Sequence, residues 1–169
     1  MTRLRLSTTL LLCVFFSGCS DYRISVNDRT VYEPVALFTD YRIDDAALRA
    51  CVEQAIRDTM ATRANQLKDL NCANAGIRSL TGINVFTGLE RVRLDDNHIS
   101  DLTPLFDLRS LALLQVRNNQ LSNAPSQFCL TGLQRLAIEG NAALHCESLA
   151  TLKACGVTLE SAPAHCAAQ

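Results

Sequence analysis

The chain contains 169 residues with 48% hydrophobic and 20% charged side chains, a composition typical of a globular domain and not of a disordered chain. Sixteen Lys and Arg residues against 17 Asp and Glu residues give a net charge of −1, without the basic excess that is typical of nucleic-acid-binding proteins. The length accommodates one domain with or without a tail.

Residues 1–18 are predicted to be a secretory signal peptide. Arg3 and Arg5 form a basic start, and an unbroken apolar run covers Leu10–Phe16. This run is far shorter than the ~20 residues of a membrane-spanning helix, and small residues follow it, which is the layout of a signal peptide. The alternative interpretation is a short buried strand at the N-terminus.

The next feature is the tetrapeptide Phe16-Ser17-Gly18-Cys19, which resembles a bacterial lipobox with Phe in place of the usual Leu. The resemblance implies cleavage before Cys19 and lipid attachment to it, and therefore a lipid-anchored protein of the bacterial cell envelope. In enterobacterial lipoproteins a residue such as Ser20 implies export to the outer membrane, facing the periplasm or the surface. Residues 19–39 would then form the lipidated cysteine and a tether, with a small hairpin turning at Asn27–Arg29.

Residues 40–66 are predicted to form an N-terminal helical cap. Asp44 is the expected N-cap of a helix, with Ile43 and Leu48 as the hydrophobic staple across it. The predicted apolar face of the helix carries Leu48, Cys51, Val52, Ala55, Ile56 and Thr59. A membrane-binding helix is the alternative, but acidic and basic residues are mixed on the polar face.

Residues 67–143 repeat with a period of 22 residues. One copy contains Leu89, Val92, Leu94, Asn97 and Ile99. The pattern recurs at Leu111, Leu114, Val116, Asn119 and Leu121, and again at Leu133, Leu136, Ile138, Asn141 and Ala143. An atypical first copy contains Leu67, Leu70, Cys72, Ala75 and Ile77.

This pattern resembles the leucine-rich repeat, in the 22-residue class of the bacterial internalins. The resemblance implies an α/β solenoid: a short leucine-rich-repeat arc with a parallel concave sheet and short helical return segments. Asn97, Asn119 and Asn141 are predicted to be structural, because a buried amide can satisfy backbone groups of neighbouring turns.

Six cysteines follow Cys19, and an even number in an exported chain predicts disulfides, with buried free thiols as the alternative. Cys51 lies on the apolar helix face, and Cys72 occupies an inward strand position. Both are expected to point into the same cap core, so they are predicted to pair.

Residues 144–169 are predicted to form a C-terminal cap that covers the open end of the solenoid. They resemble the C-terminal cap of proteobacterial leucine-rich lipoproteins, which implies a disulfide between Cys146 and Cys166. Whether the remaining Cys129 and Cys155 pair with each other is left open.

Residues between the inward strand positions are predicted to face solvent on the concave sheet, in rows whose neighbours lie about 4.8 Å apart. The rows are Asp69, Arg91, Leu113 and Arg135; Asn71, Arg93, Gln115 and Ala137; and Ala73, Asp95, Arg117 and Glu139. They form either a self-paired ladder of charges or a mixed-charge binding face with Leu113 as an exposed apolar anchor. The candidate binding surface comprises Arg91, Arg93, Asp95, Leu113, Gln115, Arg117, Arg135 and Glu139.

Catalysis is not predicted. His98, His145 and His165 lie in a turn and in the C-terminal cap, and the sequence contains no HExxH, GxSxG or glycine-rich phosphate motif. A zinc site near the two His-Cys dipeptides is the alternative to disulfides there, but no CxxC pair supports it. We therefore expect no metal, no cofactor and no enzyme activity.

Two functions are compatible with the sequence. The first is a lipid-anchored interaction module that binds a protein or an envelope ligand through the concave sheet. The second is a structural or positional envelope lipoprotein without a dedicated ligand on that face. In both, the lipid on Cys19 contacts the membrane, and nucleic acid is not an expected partner.

Overall fold

The computed structural model describes residues 24–27, 29–32 and 35–166, so the predicted signal peptide and Cys19 lie outside the described residues. The chain divides into two units, Met1–Pro34 and Val35–Gln169. In the first unit, β1 (Ile24–Val26) and β2 (Arg29–Tyr32) pair antiparallel, which confirms the predicted hairpin.

The first helix of the second unit is α1 (Ala46–Thr59), and the prediction of Asp44 as its N-cap is wrong. The N-cap is Asp45, whose Oδ1 accepts hydrogen bonds from the backbone N–H groups of Ala47 and Leu48, both at 3.0 Å. The carboxylate of Asp44 instead pairs with exposed Arg42. With the cap one residue later, Ile43 and Leu48 no longer occupy the staple positions, although both side chains are buried.

Asp45 also joins the helical cap to the first repeat. Its second oxygen, Oδ2, accepts hydrogen bonds from the backbone N–H groups of Arg78 at 2.9 Å and Ser79 at 3.1 Å. Burial alone would raise the pKa of Asp45, but the four N–H donors from Leu48, Arg78, Ser79 and Ala47 outweigh it and lower the pKa below its ordinary value. The charged carboxylate is therefore the form that holds the cap in place.

We expect Asp45→Asn to destabilise the protein at neutral pH, because an amide presents only one acceptor oxygen to the four N–H groups. A lowered folded-state pKa adds stability above the unfolded-state pKa of about 3.9, and this stability is lost as pH falls through the folded-state value. The difference in unfolding free energy between wild type and Asp45→Asn should therefore shrink from pH 6 towards pH 3 in urea titrations. The exposed Asp44→Asn is the control, and a difference for Asp45→Asn that stays constant with pH would contradict the assignment.

The second unit contains a parallel five-stranded sheet, which confirms the predicted solenoid. Its strands, in sheet order, are β3 (Asp69–Asn71), β4 (Arg91–Arg93), β5 (Leu113–Gln115), β6 (Arg135–Ala137) and β7 (Thr158–Ser161). The first four pair in a register of 22 residues, so Asp69, Arg91, Leu113 and Arg135 lie side by side. The chain returns through 3-10 helices at Ile83–Val85, Thr103–Leu105 and Ser126–Leu130.

Leucines and other apolar side chains at the inward positions form one continuous buried core. The central strand residues Leu70, Val92, Leu114 and Leu136 are all buried in it, and so are Leu48 and Ile56 of α1. The helix therefore covers the open end of the first repeat, as a solenoid requires.

The three repeat asparagines are buried and hydrogen-bonded in the same way. The side-chain oxygen of each accepts the backbone N–H of the residue 20 positions earlier, which is Ile77, Ile99 or Leu121. The side-chain nitrogen of each donates to the carbonyl 25 positions earlier, which is that of Cys72, Leu94 or Val116. Each amide thus joins two consecutive repeats, as the sequence predicts.

The residue immediately before the asparagine position of each repeat, which is Ala75 in the first copy, has a left-handed backbone. Asn74, Asp96 and Asn118 have φ between 52° and 58°, and the last repeat has Gly140 at 74°. A Cβ on Gly140 would lie 1.9 Å from Oδ1 of Asn118, so the glycine is needed for the close approach of the two turns as well as for its φ.

The C-terminal cap contributes more to the sheet than the sequence predicts. Its helix α2 (Cys146–Ala154) leads into β7, which extends the sheet by a fifth strand. The register slips here, so that Leu159 lies opposite Leu136 and Ser161 lies opposite Ala137. Within the described residues no helix combines the length and apolar character that crossing a membrane requires.

The structure contains disulfides Cys51–Cys72, Cys129–Cys155 and Cys146–Cys166. The first joins α1 to the residue that follows β3. The second joins the 3-10 helix Ser126–Leu130 to the C-cap of α2, and the third joins the start of α2 to the last 3-10 helix, Ala164–Cys166. Both caps are thus covalently attached to their neighbours.

Candidate functional site

The concave sheet presents three rows of side chains, and the row that begins with Asp69 is the most exposed. The guanidinium of Arg91 contacts both carboxylate oxygens of Asp69, and more than half of each side chain is exposed. These hydrogen bonds and the negative charge of Asp69 hold the pKa of Arg91 above its ordinary value. Arg91 is therefore a permanently charged group on this face.

Leu113 follows Arg91 in the same row, and it is half-buried where the sequence predicted an exposed anchor. It lies in register between Arg91 and Arg135, whose long side chains flank it on the neighbouring strands. The large apolar side chain with the greatest exposure in the described residues is instead Leu130, at 78%, although the 22-residue period places it in the same position as the buried Phe86 and Leu108.

In the row that contains Arg117, the charged side chains neutralise one another. Nη1 of Arg117 lies 3.1 Å from Oδ2 of Asp95, and Nε lies 3.2 Å from Oε1 of Glu139. Asp95 was predicted to belong to the binding surface, but it is only 9% exposed. Its Oδ1 also accepts a hydrogen bond from the backbone N–H of Arg117 at 2.8 Å. Asp95 therefore holds Arg117 in place and is not a surface group.

The middle row contains Arg93, whose Nε donates a 2.6 Å hydrogen bond to Oε1 of Gln115. The row does not continue on the surface as predicted, because Ala137 is fully buried next to Ser161 of β7. The outward face is therefore widest at β3, β4 and β5.

Glu160 belongs to the concave face although the 22-residue period does not reveal it. It lies 3.3 Å from Arg135 and neutralises that arginine. The period points to Val157 at the position beside Arg135, and the register slip in β7 places Thr158 there instead. The sequence does show that the strand pattern slips by one, to Val157 and Leu159, but it does not show that Glu160 then reaches Arg135.

The outward side chains of β3, β4 and β5 surround a shallow hollow of about 240 Å³. Its walls are Asp69, Asn71, Arg91, Arg93, Leu113 and Gln115. The hollow combines the Arg91–Asp69 ion pair, Arg93, two neutral amides and the apolar side chain of Leu113. This set is able to hold a polypeptide segment by charge, hydrogen bonding and apolar contact.

The cluster of Cys146, His165 and Cys166 has the spacing of metal ligands, since their donor atoms lie within 4.8 Å of one another. The two sulfur atoms are bonded to each other, so neither is a thiolate that could bind zinc. Nε2 of His165 is hydrogen-bonded to the carbonyl of Leu144 at 2.9 Å. The cluster is therefore a disulfide with a neighbouring structural histidine.

The other two histidines contact amide side chains of a neighbouring repeat, the following one for His98 and the preceding one for His145. Nδ1 of His98 lies 3.3 Å from Nε2 of Gln120, and Nδ1 of His145 lies 3.1 Å from Oδ1 of Asn123. Both pairs span 22 residues, so they are contacts between equivalent positions of stacked repeats. Both histidines are exposed.

Comparison with known proteins yields no matching protein-family model. Over 91 residues, or 52% of this chain, the sequence is 34% identical to leucine-rich repeat-containing protein 56 of Rattus norvegicus. The match spans 16% of the length of that protein. The similarity thus covers a small part of a much longer chain.

Among solved structures, internalin C2 of Listeria monocytogenes aligns with a TM-score of 0.48 and 26% identity, covering 60% of this chain and 52% of that chain. The internalin InlF of the same species aligns with a TM-score of 0.48 and 21% identity, covering 69% and 44%. The repeat, the parallel sheet and the disulfides themselves make this chain a short leucine-rich-repeat solenoid with a disulfide-stabilised cap.

Proposed function

We propose that this protein is a lipid-anchored protein of the bacterial envelope whose concave sheet binds a protein partner. The observation that carries the binding proposal is the hollow on β3, β4 and β5, where Arg91 and Arg93 of β4 lie beside the half-buried Leu113 of β5. Arginine is enriched at protein interfaces, and energetically dominant contacts cluster around a desolvated centre of this kind. A stable interface covers about 800 Å² per partner, so it would use most of this short sheet.

The lipid anchor is proposed from the sequence of residues 1–20, which lie outside the described residues. Several acyl chains on Cys19 would hold the protein firmly at a membrane, whereas a single chain binds only marginally. The residue after the cysteine, Ser20, favours the outer membrane as the destination. Anchoring would place the solenoid close to envelope proteins and raise their local concentration.

Labelling cells with an alkyne fatty acid tests the anchor. We expect label on the wild type and on Cys13→Ala, which removes a cysteine of the predicted signal peptide, and no label on Cys19→Ala. Equal labelling of Cys19→Ala and wild type would contradict the assignment of the lipidated residue.

A purely positional role is the second candidate, and the pairing of charges within the sheet favours it. Arg117 is neutralised by Asp95 and Glu139, and Arg135 by Glu160, so much of this face is electrostatically self-contained. A surface whose charges are already paired gains less electrostatic free energy when a charged partner binds.

Native electrophoresis of gently solubilised cells separates the two candidates. An interaction module should migrate in a species larger than the monomer, and Leu113→Glu should abolish that species while leaving the protein folded and membrane-bound. The matched control is Asp107→Lys, at an exposed position in a return segment. A positional protein would migrate identically with and without Leu113→Glu, which would contradict the proposed binding function.

A further inference from the structure

The arginines of the concave sheet differ in what neutralises them. Three of the four are paired with carboxylates of the same sheet, as Arg91–Asp69, Arg117–Asp95, Arg117–Glu139 and Arg135–Glu160. Arg93 is the exception, because no carboxylate oxygen of the described residues lies within 4.0 Å of its guanidinium. Its positive charge is left uncompensated on a face that is otherwise balanced.

The neighbours of Arg93 in the sheet explain this exception. Its register partners are Asn71 on β3 and Gln115 on β5, and both are neutral amides. Gln115 accepts one hydrogen bond from Nε at 2.6 Å, which fixes one edge of the guanidinium. The N–H groups on both Nη atoms have no acceptor among the described residues, and this pair of atoms matches the two oxygens of a carboxylate.

An apolar group adjoins this unpaired charge. Leu113 lies on the neighbouring strand beside Gln115 and lines the same hollow of about 240 Å³ as Arg93. The hollow is therefore suited to a segment that carries a carboxylate next to an apolar side chain. A basic segment would instead meet the unpaired charge of Arg93, because Arg91 is already paired with Asp69.

We infer that Arg93 is a carboxylate-binding subsite, and that the partner is a protein whose docking segment places an Asp or Glu side chain on Arg93 and an apolar side chain on Leu113. The inference rests on the proposed function, because it names the chemistry of the partner at the same concave face. The acidic residue would complete the charge balance that Asp69, Glu139 and Glu160 provide at the other arginines.

Selection of peptides tests this inference with a defined probe. A displayed library of random seven-residue peptides is selected on the purified full-length protein and on the variants Arg93→Gln, Leu113→Glu and Arg78→Gln. Arg78 is the matched control, because its side chain is exposed away from the concave sheet and the change of charge is the same. Wild type and Arg78→Gln should select peptides with an Asp or Glu close to a large apolar residue.

The affinity of a synthetic peptide with the selected sequence gives the second measurement. It should be about tenfold weaker or more for Arg93→Gln, as expected for loss of a two-point charged hydrogen bond, and unchanged for Arg78→Gln. Peptides that depend on Leu113 but lack acidic residues, or that bind Arg93→Gln equally well, would overturn the inference and leave the proposed function standing. Failure to select any peptide that depends on Leu113 would contradict both.

Discussion

Asn141→Ala is expected to lower the free energy of unfolding by about 3 to 5 kcal/mol. The side chain of Asn141 is fully buried, accepts the N–H of Leu121 at 3.0 Å and donates to the carbonyls of Val116 and Ile138 at 3.0 and 2.8 Å. Alanine would leave all three backbone groups buried without a partner, and each such group costs about 1 to 3 kcal/mol. Urea unfolding followed by circular dichroism measures the change.

The matched control for this substitution is Asn84→Ala, because the side chain of Asn84 is exposed in a return segment. We expect a change of less than about 0.5 kcal/mol there, as for an ordinary surface substitution. If Asn141→Ala and Asn84→Ala lost equally little stability, the amide could not be the link between consecutive repeats.

The double variant Cys51→Ala/Cys72→Ala is expected to lose about 3 kcal/mol, the typical effect of a disulfide that closes a loop of this size. The two cysteines are 21 residues apart, and their bond attaches α1 to the end of β3. Hydrogen exchange should show that the amides of α1 lose protection more than those of β5 and β6, because the free energy of local opening of the cap becomes smaller.

The comparison variant is Cys129→Ala/Cys155→Ala, whose cysteines are 26 residues apart and close a loop of similar length. Its loss of total stability should be similar, but protection should be lost in α2 and not in α1. Uniform loss of protection along the chain in both variants would show that the two caps do not open independently.

The 22-residue period was sufficient to predict the sheet, because a solenoid places equivalent positions side by side. Leu70, Val92 and Leu114 are buried where the period places them, and the repeat asparagines bridge turns as expected. The uncompensated Arg93 was in principle visible too, since the residues 22 positions before and after it are Asn71 and Gln115.

Features that depend on local geometry were not predictable in this way. Asp44 and Asp45 both suit an N-cap by residue type, and only the path of the backbone places the carboxylate of Asp45 against four N–H groups. The slip of the strand pattern to Val157 and Leu159 is visible in the sequence, but the irregular pairing between β6 and β7 that brings Glu160 to Arg135 is not. Burial of Asp95 follows from its hydrogen bond to the backbone of Arg117, which the alternation of inward and outward residues does not reveal.

Site-specific photo-crosslinking in living cells tests whether the concave sheet is a binding surface. A photoreactive residue replaces Leu113 in the hollow, and a second protein carries it at exposed Asp107 in a return segment. We expect a discrete adduct from position 113 and none from position 107, with mass spectrometry identifying the partner. The absence of an adduct at position 113, or equal adducts at both positions, in correctly oxidised protein would contradict the proposal that the concave sheet is a binding surface.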